Sequence, residues 1–198
     1  MTTLTKIGRP TSAETQHKRV LGILRASGKV ARRNSLPEYL EQSEINAMLQ
    51  CAPQNEDGTP NVHARLLMLI MWRAGLRISE ALSLTAGDLR LNDDRPTLKV
   101  LGKRNKERVV PIHPELRVAL INYLSYNGGN KTRGLFTITR STGWRWVAAA
   151  RDRAQDMGMM AHGRKVTPHT FRHSAARHWL ANGVPVNKVS LWLGHASL

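Results

Sequence analysis

The chain has 198 residues, 41% of them hydrophobic, with 30 basic residues against 14 acidic ones and a net charge of +16. That length holds one sizeable domain plus an arm, and that apolar content sustains a buried core, which excludes wholesale disorder. The charge excess attracts polyanions, nucleic acid foremost. The single cysteine, Cys51, excludes an internal disulfide framework and a Cys-based zinc site, and no apolar run is suited to a signal peptide or a membrane span.

The charge is unevenly spread. Residues 1–36 carry 8 basic residues and 1 acidic, residues 37–98 carry 5 and 9, and residues 99–198 carry 17 and 4. The first segment shows no core-forming pattern and reads as a basic arm or linker, with Ser35-Leu36-Pro37 marking the start of a folded domain over 37–198. Ser43 is expected to cap a short helix through about Gln50, with Glu44 in its first turn. Cys51 to Pro60 is rich in turn formers and reads as a loop. Asn61 to Ala74, apolar on most faces, predicts a buried helix closed by Gly75 in a left-handed cap. A second helix is predicted from near Ser79 to Leu84, which puts Arg77 in the corner between two helices. Two β-rich runs, Thr97 to Leu101 and Arg108 to Ile112, predict a hairpin around Gly102-Lys103-Arg104-Asn105-Lys106-Glu107. Further helices are predicted from Pro114 to about Tyr126, from Ser141 to Met157, from Thr167-Pro168 to near Gly183, and from about Pro185 to Leu193 before Gly194. Leu135 to Ile138 is expected to add a third strand. The fold class that results is mixed α+β, mostly helical, with a small antiparallel sheet.

Four motifs carry chemistry. His169 and Arg172, three apart at a helix start, share one face at its positive end and can grip one phosphate together. The bland alternative is two solvated polar residues. His169 and His173 also have metal-ligand spacing, but no third ligand is nearby in sequence. Arg77 between apolar helices requires a partner. Glu80 is one, which would make Arg77 structural. Lys103 sits among Arg104, Lys106 and Arg108, either as a solvated basic turn or as a mobile general acid. His195, after Leu193-Gly194, is by itself a helix-end residue.

Taken in order, Gly75-Leu76-Arg77-Ile78-Ser79-Glu80, the Gly102-Lys103 run through Arg108 to Pro111-Ile112, Thr167-Pro168-His169-Thr170-Phe171-Arg172-His173-Ser174 and Leu193-Gly194-His195 resemble the catalytic-domain signature of the tyrosine recombinases, the phage integrase family, over about residues 37–198. The resemblance implies that Arg77, Arg172, His169 and His195 bind the scissile phosphate, that Lys103 is the general acid and that Glu80 supports the first arginine. The basic residues of the hairpin and of the Gly/Asn loop, Arg104, Lys106, Arg108, Lys131 and Arg133, are expected to contact DNA. The resemblance implies no metal and no nucleotide cofactor, because a 3′-phosphotyrosyl link conserves the bond energy. Double-stranded DNA is the implied partner, with a tetramer on paired sites and a cytoplasmic, nucleoid-associated setting of prokaryotic or phage origin. In that family the nucleophilic tyrosine lies roughly nine residues past the last histidine. The chain's tyrosines are Tyr39, Tyr123 and Tyr126, so residues 1–198 are expected not to cleave DNA by themselves. A non-catalytic DNA binder built on a helix-turn-helix around Asn182-Gly183-Val184-Pro185 is the alternative, and an RNA binder would account for the charge alone.

Overall fold

The computed structural model describes residues 38–102, 106–128 and 131–194. The predicted arm, residues 1–36, and Lys103, Arg104 and His195 lie outside them. Helix α1 spans Gln42–Gln50. Its cap is Glu41, not Ser43: the Glu41 amide donates to Glu44 Oε2 at 2.9 Å. Glu44 reaches back three residues in the manner of a capping box, which sets the helix start earlier than the serine does.

Helix α2, Val62–Arg73, begins where the Asn61 side chain accepts from the Ala64 amide at 2.9 Å. Its residues Leu66 to Trp72 are all buried, so it forms the centre of the domain and packs against α1 and the later helices. The chain leaves it through Ala74 and through Gly75 at φ +62. A Cβ at Gly75 would lie 2.7 Å from the Trp179 indole and 3.3 Å from Leu193 Cδ2. Glycine there serves both the left-handed turn and the close approach of the two C-terminal helices. Helix α3, Ile78–Leu82, follows at once, with Arg77 as its first flanking residue.

After a short 3-10 turn at Ala86–Asp88 come β1, Leu89–Arg90, β2, Thr97–Leu101, and β3, Glu107–Pro111. They form one antiparallel sheet in the order β1-β2-β3, with Leu98 opposite both Leu89 and Val110. The third strand is therefore Leu89–Arg90, not Leu135 to Ile138. Leu135 and Phe136 are buried consecutively rather than alternately, a pattern no strand with one solvated face permits. That segment instead hangs on the Leu135 amide, which donates to Leu84 O at 2.7 Å, beside a single bridge between Thr85 and Gly134.

Helices α4, Pro114–Asn127, α5, Arg140–Asp156, α6, Pro168–Ala181, and α7, Val186–Leu193, complete the domain. Gly143 lets α5 cross α3 closely, since a Cβ there would sit 2.8 Å from Ile78 Cδ1. Phe171, Leu67, Ile70 and Leu76 lie fully buried in the main core, and Ala176, Leu180, Val189 and Leu193 form a smaller one that seats α7 on α6. Among the described residues no helix is long and apolar enough to cross a membrane.

Candidate active site

One carboxylate organises the site. Glu80, 5% exposed on α3, accepts from Arg77 Nη1 at 2.9 Å on Oε1 and from the Arg77 amide at 2.9 Å on Oε2. Arg108 adds a two-pronged grip, Nη1 to Oε1 at 3.0 Å and Nη2 to Oε2 at 2.7 Å. Arg172 Nη1 stands 3.5 Å from Oε2. Three guanidinium groups around one carboxylate leave a net charge of +2 (three positive, one negative). Burial pushes the Glu80 carboxyl up, but the hydrogen bonds and charge of Arg108, the Arg77 amide and the Arg172 charge outweigh it and hold it below the usual carboxylate range. Glu80 is therefore ionised, and it pins the arginines without cancelling them.

Arg172 is 5% exposed. Its Nη1 donates to Gly75 O at 2.7 Å and its Nη2 to Leu193 O. These two bonds join the end of α2, the start of α6 and the end of α7 at one residue. Burial first, and the Arg77 charge second, push its guanidinium down to about 9, which leaves it charged at neutral pH. Arg77 keeps about a third of its side chain exposed, so the cluster opens to solvent on the Arg77 side. His169, one turn before Arg172 on α6, is exposed. Desolvation, then the charges of Arg172, Arg77 and Arg140, hold its imidazole below the ordinary value. The imidazole is thus a neutral single donor at pH 7, and an arriving phosphate anion would favour its protonation.

Both shifts act on stability in the same sense. Glu80 is held down from 4.5 and His169 from 6.5, so the unfolded chain takes up these protons at higher pH than the folded one. The His169 contribution is complete above 6.5 and is lost as pH falls through the folded value; the Glu80 contribution is lost further down, below 4.5. The thermal midpoint is expected to decline from pH 7 towards pH 5 and more steeply below about 4.5. A midpoint that is flat over that range would contradict the site electrostatics.

Arg77, Arg172, His169 and Glu80 are thus brought together from segments as much as 97 positions apart, the span bridged by the Arg172–Gly75 bond. Arg108 requires a correction. Expected to contact DNA, it is 8% exposed and spends its donors on Glu80 and, through Nε at 2.7 Å, on Trp192 O. Burial along β3 alternates, so Arg108 faces inward with Val110 while Val109 faces out. Lys106 and Lys131 are exposed. Arg133 lines a separate cleft of about 320 Å³ with His63 and Tyr123, which shares no lining residue with the Glu80 cluster. The residue that the sequence reading passed over is Arg140, the first residue of α5, whose charge reaches His169. Its signal was Thr139-Arg140, a capping residue followed by a cation just ahead of the predicted helix.

The domain thus gathers a cationic cluster of arginines and an imidazole around one buried acid, an arrangement suited to holding a phosphate group. The chain belongs to the phage integrase family, whose model matches residues 38–198. That family is the tyrosine recombinases, which break and rejoin DNA. The chain is 32% identical to tyrosine recombinase XerD of Pseudomonas aeruginosa over 174 residues, covering 82% of this chain and 55% of that protein. It is 31% identical to tyrosine recombinase XerC of Pelobacter propionicus over 168 residues, covering 84% and 54%. It thus spans about half the length of these curated relatives. Among solved structures it resembles the XerH site-specific recombinase bound to a palindromic difH substrate in a post-cleavage complex (TM-score 0.67, 26% identity, 83% of this chain and 48% of that one). The lambda integrase catalytic core shares the fold at TM-score 0.61 and 19% identity, over 80% of this chain and 91% of that one.

Proposed function

We propose that this chain is the catalytic core of a site-specific DNA recombinase that cuts and rejoins double-stranded DNA through a 3′-phosphotyrosyl intermediate. The observation that carries the reading is the shared Glu80: it holds Arg77 and Arg172 together with net positive charge beside His169. A phosphodiester carries one negative charge and its pentacovalent transition state two, so a site with a fixed surplus of +2 favours the transition state over the ground state. Arg77 and Arg172 hold the non-bridging oxygens, with His169 and His195 donating to them. A tyrosine phenol attacks phosphorus and loses its proton to solvent, the bond from phosphorus to the 5′ oxygen breaks, Lys103 gives its proton to that departing oxygen, and the 3′ phosphate stays on the tyrosine. Attack by a 5′ hydroxyl then releases the phenol and closes the strand.

The nucleophile of this scheme is a tyrosine near position ~204, about nine residues past His195 as in the family. The three tyrosines at hand are otherwise engaged or placed. Tyr123 donates to Leu135 O at 2.6 Å, Tyr39 lies under the Arg177 guanidinium at 3.8 Å, and Tyr126 stands 91% exposed on α4. Lys131, Lys106 and Arg104 are proposed DNA-backbone contacts, Arg133 with them, and assembly of four copies on paired sites in the cytoplasm, on nucleoid or phage DNA, is proposed from the family. A helix-turn-helix reader is less well supported. The exposed positions of α7 include Asn187, Lys188 and Leu191, and its last carbonyls are held by Arg108 and Arg172.

The test compares residues 1–198 with the same chain extended by its natural downstream sequence, on a nicked suicide substrate. The extended chain is expected to form a denaturant-resistant protein–DNA link, and residues 1–198 to bind DNA without linking. Binding of both should weaken with salt along a log–log slope of roughly −0.9 per phosphate neutralised. An extended chain that binds the substrate and never links to it would sink the recombinase reading.

A further inference from the structure

Arg108, 8% exposed, enters the reaction as described only through its charge and touches no reacting atom. Its fork grips both Glu80 oxygens, at 3.0 and 2.7 Å, while Nε donates to Trp192 O at 2.7 Å. The same guanidinium is flush against two glycines. A Cβ at Gly102 would lie 3.3 Å from Nη1, and a Cβ at Gly194 would lie 3.1 Å from Nη1 and 3.2 Å from Cδ. Gly102 also closes the base of the β2–β3 hairpin, its amide donating to Lys106 O at 2.8 Å. One side chain therefore meets α3, the hairpin base and the end of α7. In sequence, Gly102 is followed by Lys103 and Gly194 by His195.

We propose that Arg108 is a positioning residue for strand cleavage. It fixes Glu80, the hairpin base at Gly102 and the helix end at Gly194 in one frame, so that the residues following the two glycines are delivered to the phosphate gripped by Arg77 and Arg172. The inference rests on the recombinase reading. The planar fork of arginine can satisfy a carboxylate through two parallel bonds while Nε serves a third acceptor, and lysine, a point charge, cannot. A buried, fully bonded ion pair is also better suited to fixing register than to adding stability, since its desolvation cost offsets much of its attraction. Glycine at 102 and at 194 is what lets the guanidinium reach both segments.

Two measurements test this. In residues 1–198, the amide NMR signals of Gly102 and Gly194 are expected to shift and broaden together in Arg108→Lys while those of α1 stay in place. Arg73→Lys, altering a pair with Glu115 outside the cluster, should move neither glycine. If Arg108→Lys fails to fold, Gly102→Ala serves instead, and its added methyl should displace the Gly194 signal through the guanidinium. Glycine signals that stay put in a folded variant, or shifts spread evenly over the chain, would overturn the proposal. In the extended chain, Arg108→Lys should slow cleavage by about 10²-fold, as for a misplaced reacting group, with DNA affinity unchanged. A 5′-phosphorothiolate substrate, whose leaving group needs no proton, should recover most of that loss. Equal losses on both substrates would count against delivery of Lys103. If the wild-type extended chain never links to DNA, the recombinase reading falls, and the glycine signals still decide the role of Arg108.

Discussion

Replacing Arg172 by alanine in the extended chain is expected to abolish the covalent DNA link. Loss of a comparable preorganised donor costs about 10²–10³ in rate, and Arg172 also holds the site together. Its removal strips Gly75 O and Leu193 O of their donor, and each buried carbonyl left unsatisfied costs about 1–3 kcal/mol. Arg172→Lys keeps a charge but cannot reach both carbonyls and Glu80 at once, so it should recover stability only in part and cleavage hardly at all. The contrast with Lys103→Ala is diagnostic. That variant should bind DNA normally, cleave slowly, and regain its rate on the 5′-phosphorothiolate substrate, because only proton donation is missing. Arg172→Ala should gain nothing from that substrate. Rescue of Arg172→Ala by the thiolate would mean that its guanidinium does not stabilise phosphoryl charge.

Replacing Glu80 by alanine is expected to be the most destabilising single change in the site. It leaves Arg108 and Arg172, both under one-tenth exposed, as like charges with no counter-charge. Breaking a buried pair from one side costs about 3–5 kcal/mol. Glu80→Gln retains an acceptor for one prong of Arg108 and should cost less, while Glu80→Ala with Arg108→Met should recover part of the loss by removing one orphaned cation. Urea unfolding of the four proteins measures this directly. A Glu80→Ala chain as stable as wild type would show that the three arginines do not depend on that carboxylate.

Much of this site was legible in the sequence because its anchors are local. Gly75 after an apolar helix, Thr167-Pro168 at a helix start and Gly194 at a helix end each dictate backbone geometry by their own chemistry, and they fall beside Arg77, His169 and the end of α7. The pairing of Arg77 with Glu80 was readable from the three-residue spacing. What was not legible depends on contacts between distant segments. Nothing local marks Glu80 as shared by three arginines. Arg108 belongs to a run with adjacent valines at 109 and 110, so the phase of its strand could be read either way, and only the pairing of Val110 with Leu98 turns it inward. The two-residue strand Leu89–Arg90 has no β-rich run to announce it, whereas Leu135 to Ile138 has the composition of a strand and the burial of a core-covering loop.

The surplus of +2 around Glu80 also has a thermodynamic meaning. Self-repulsion among Arg77, Arg108 and Arg172 is a standing cost of the folded state that the unfolded chain, with its arginines dispersed in water, does not bear. A polyanion that seats on the cluster relieves that cost and so prefers the native form to the unfolded chain, acting as a folding ligand that raises stability by at most RT ln(1 + [L]/Kd). On the proposed reading DNA would be both substrate and stabiliser. The protein's melting temperature then becomes a gauge of occupancy, readable with heparin or short duplexes without any cleavage taking place.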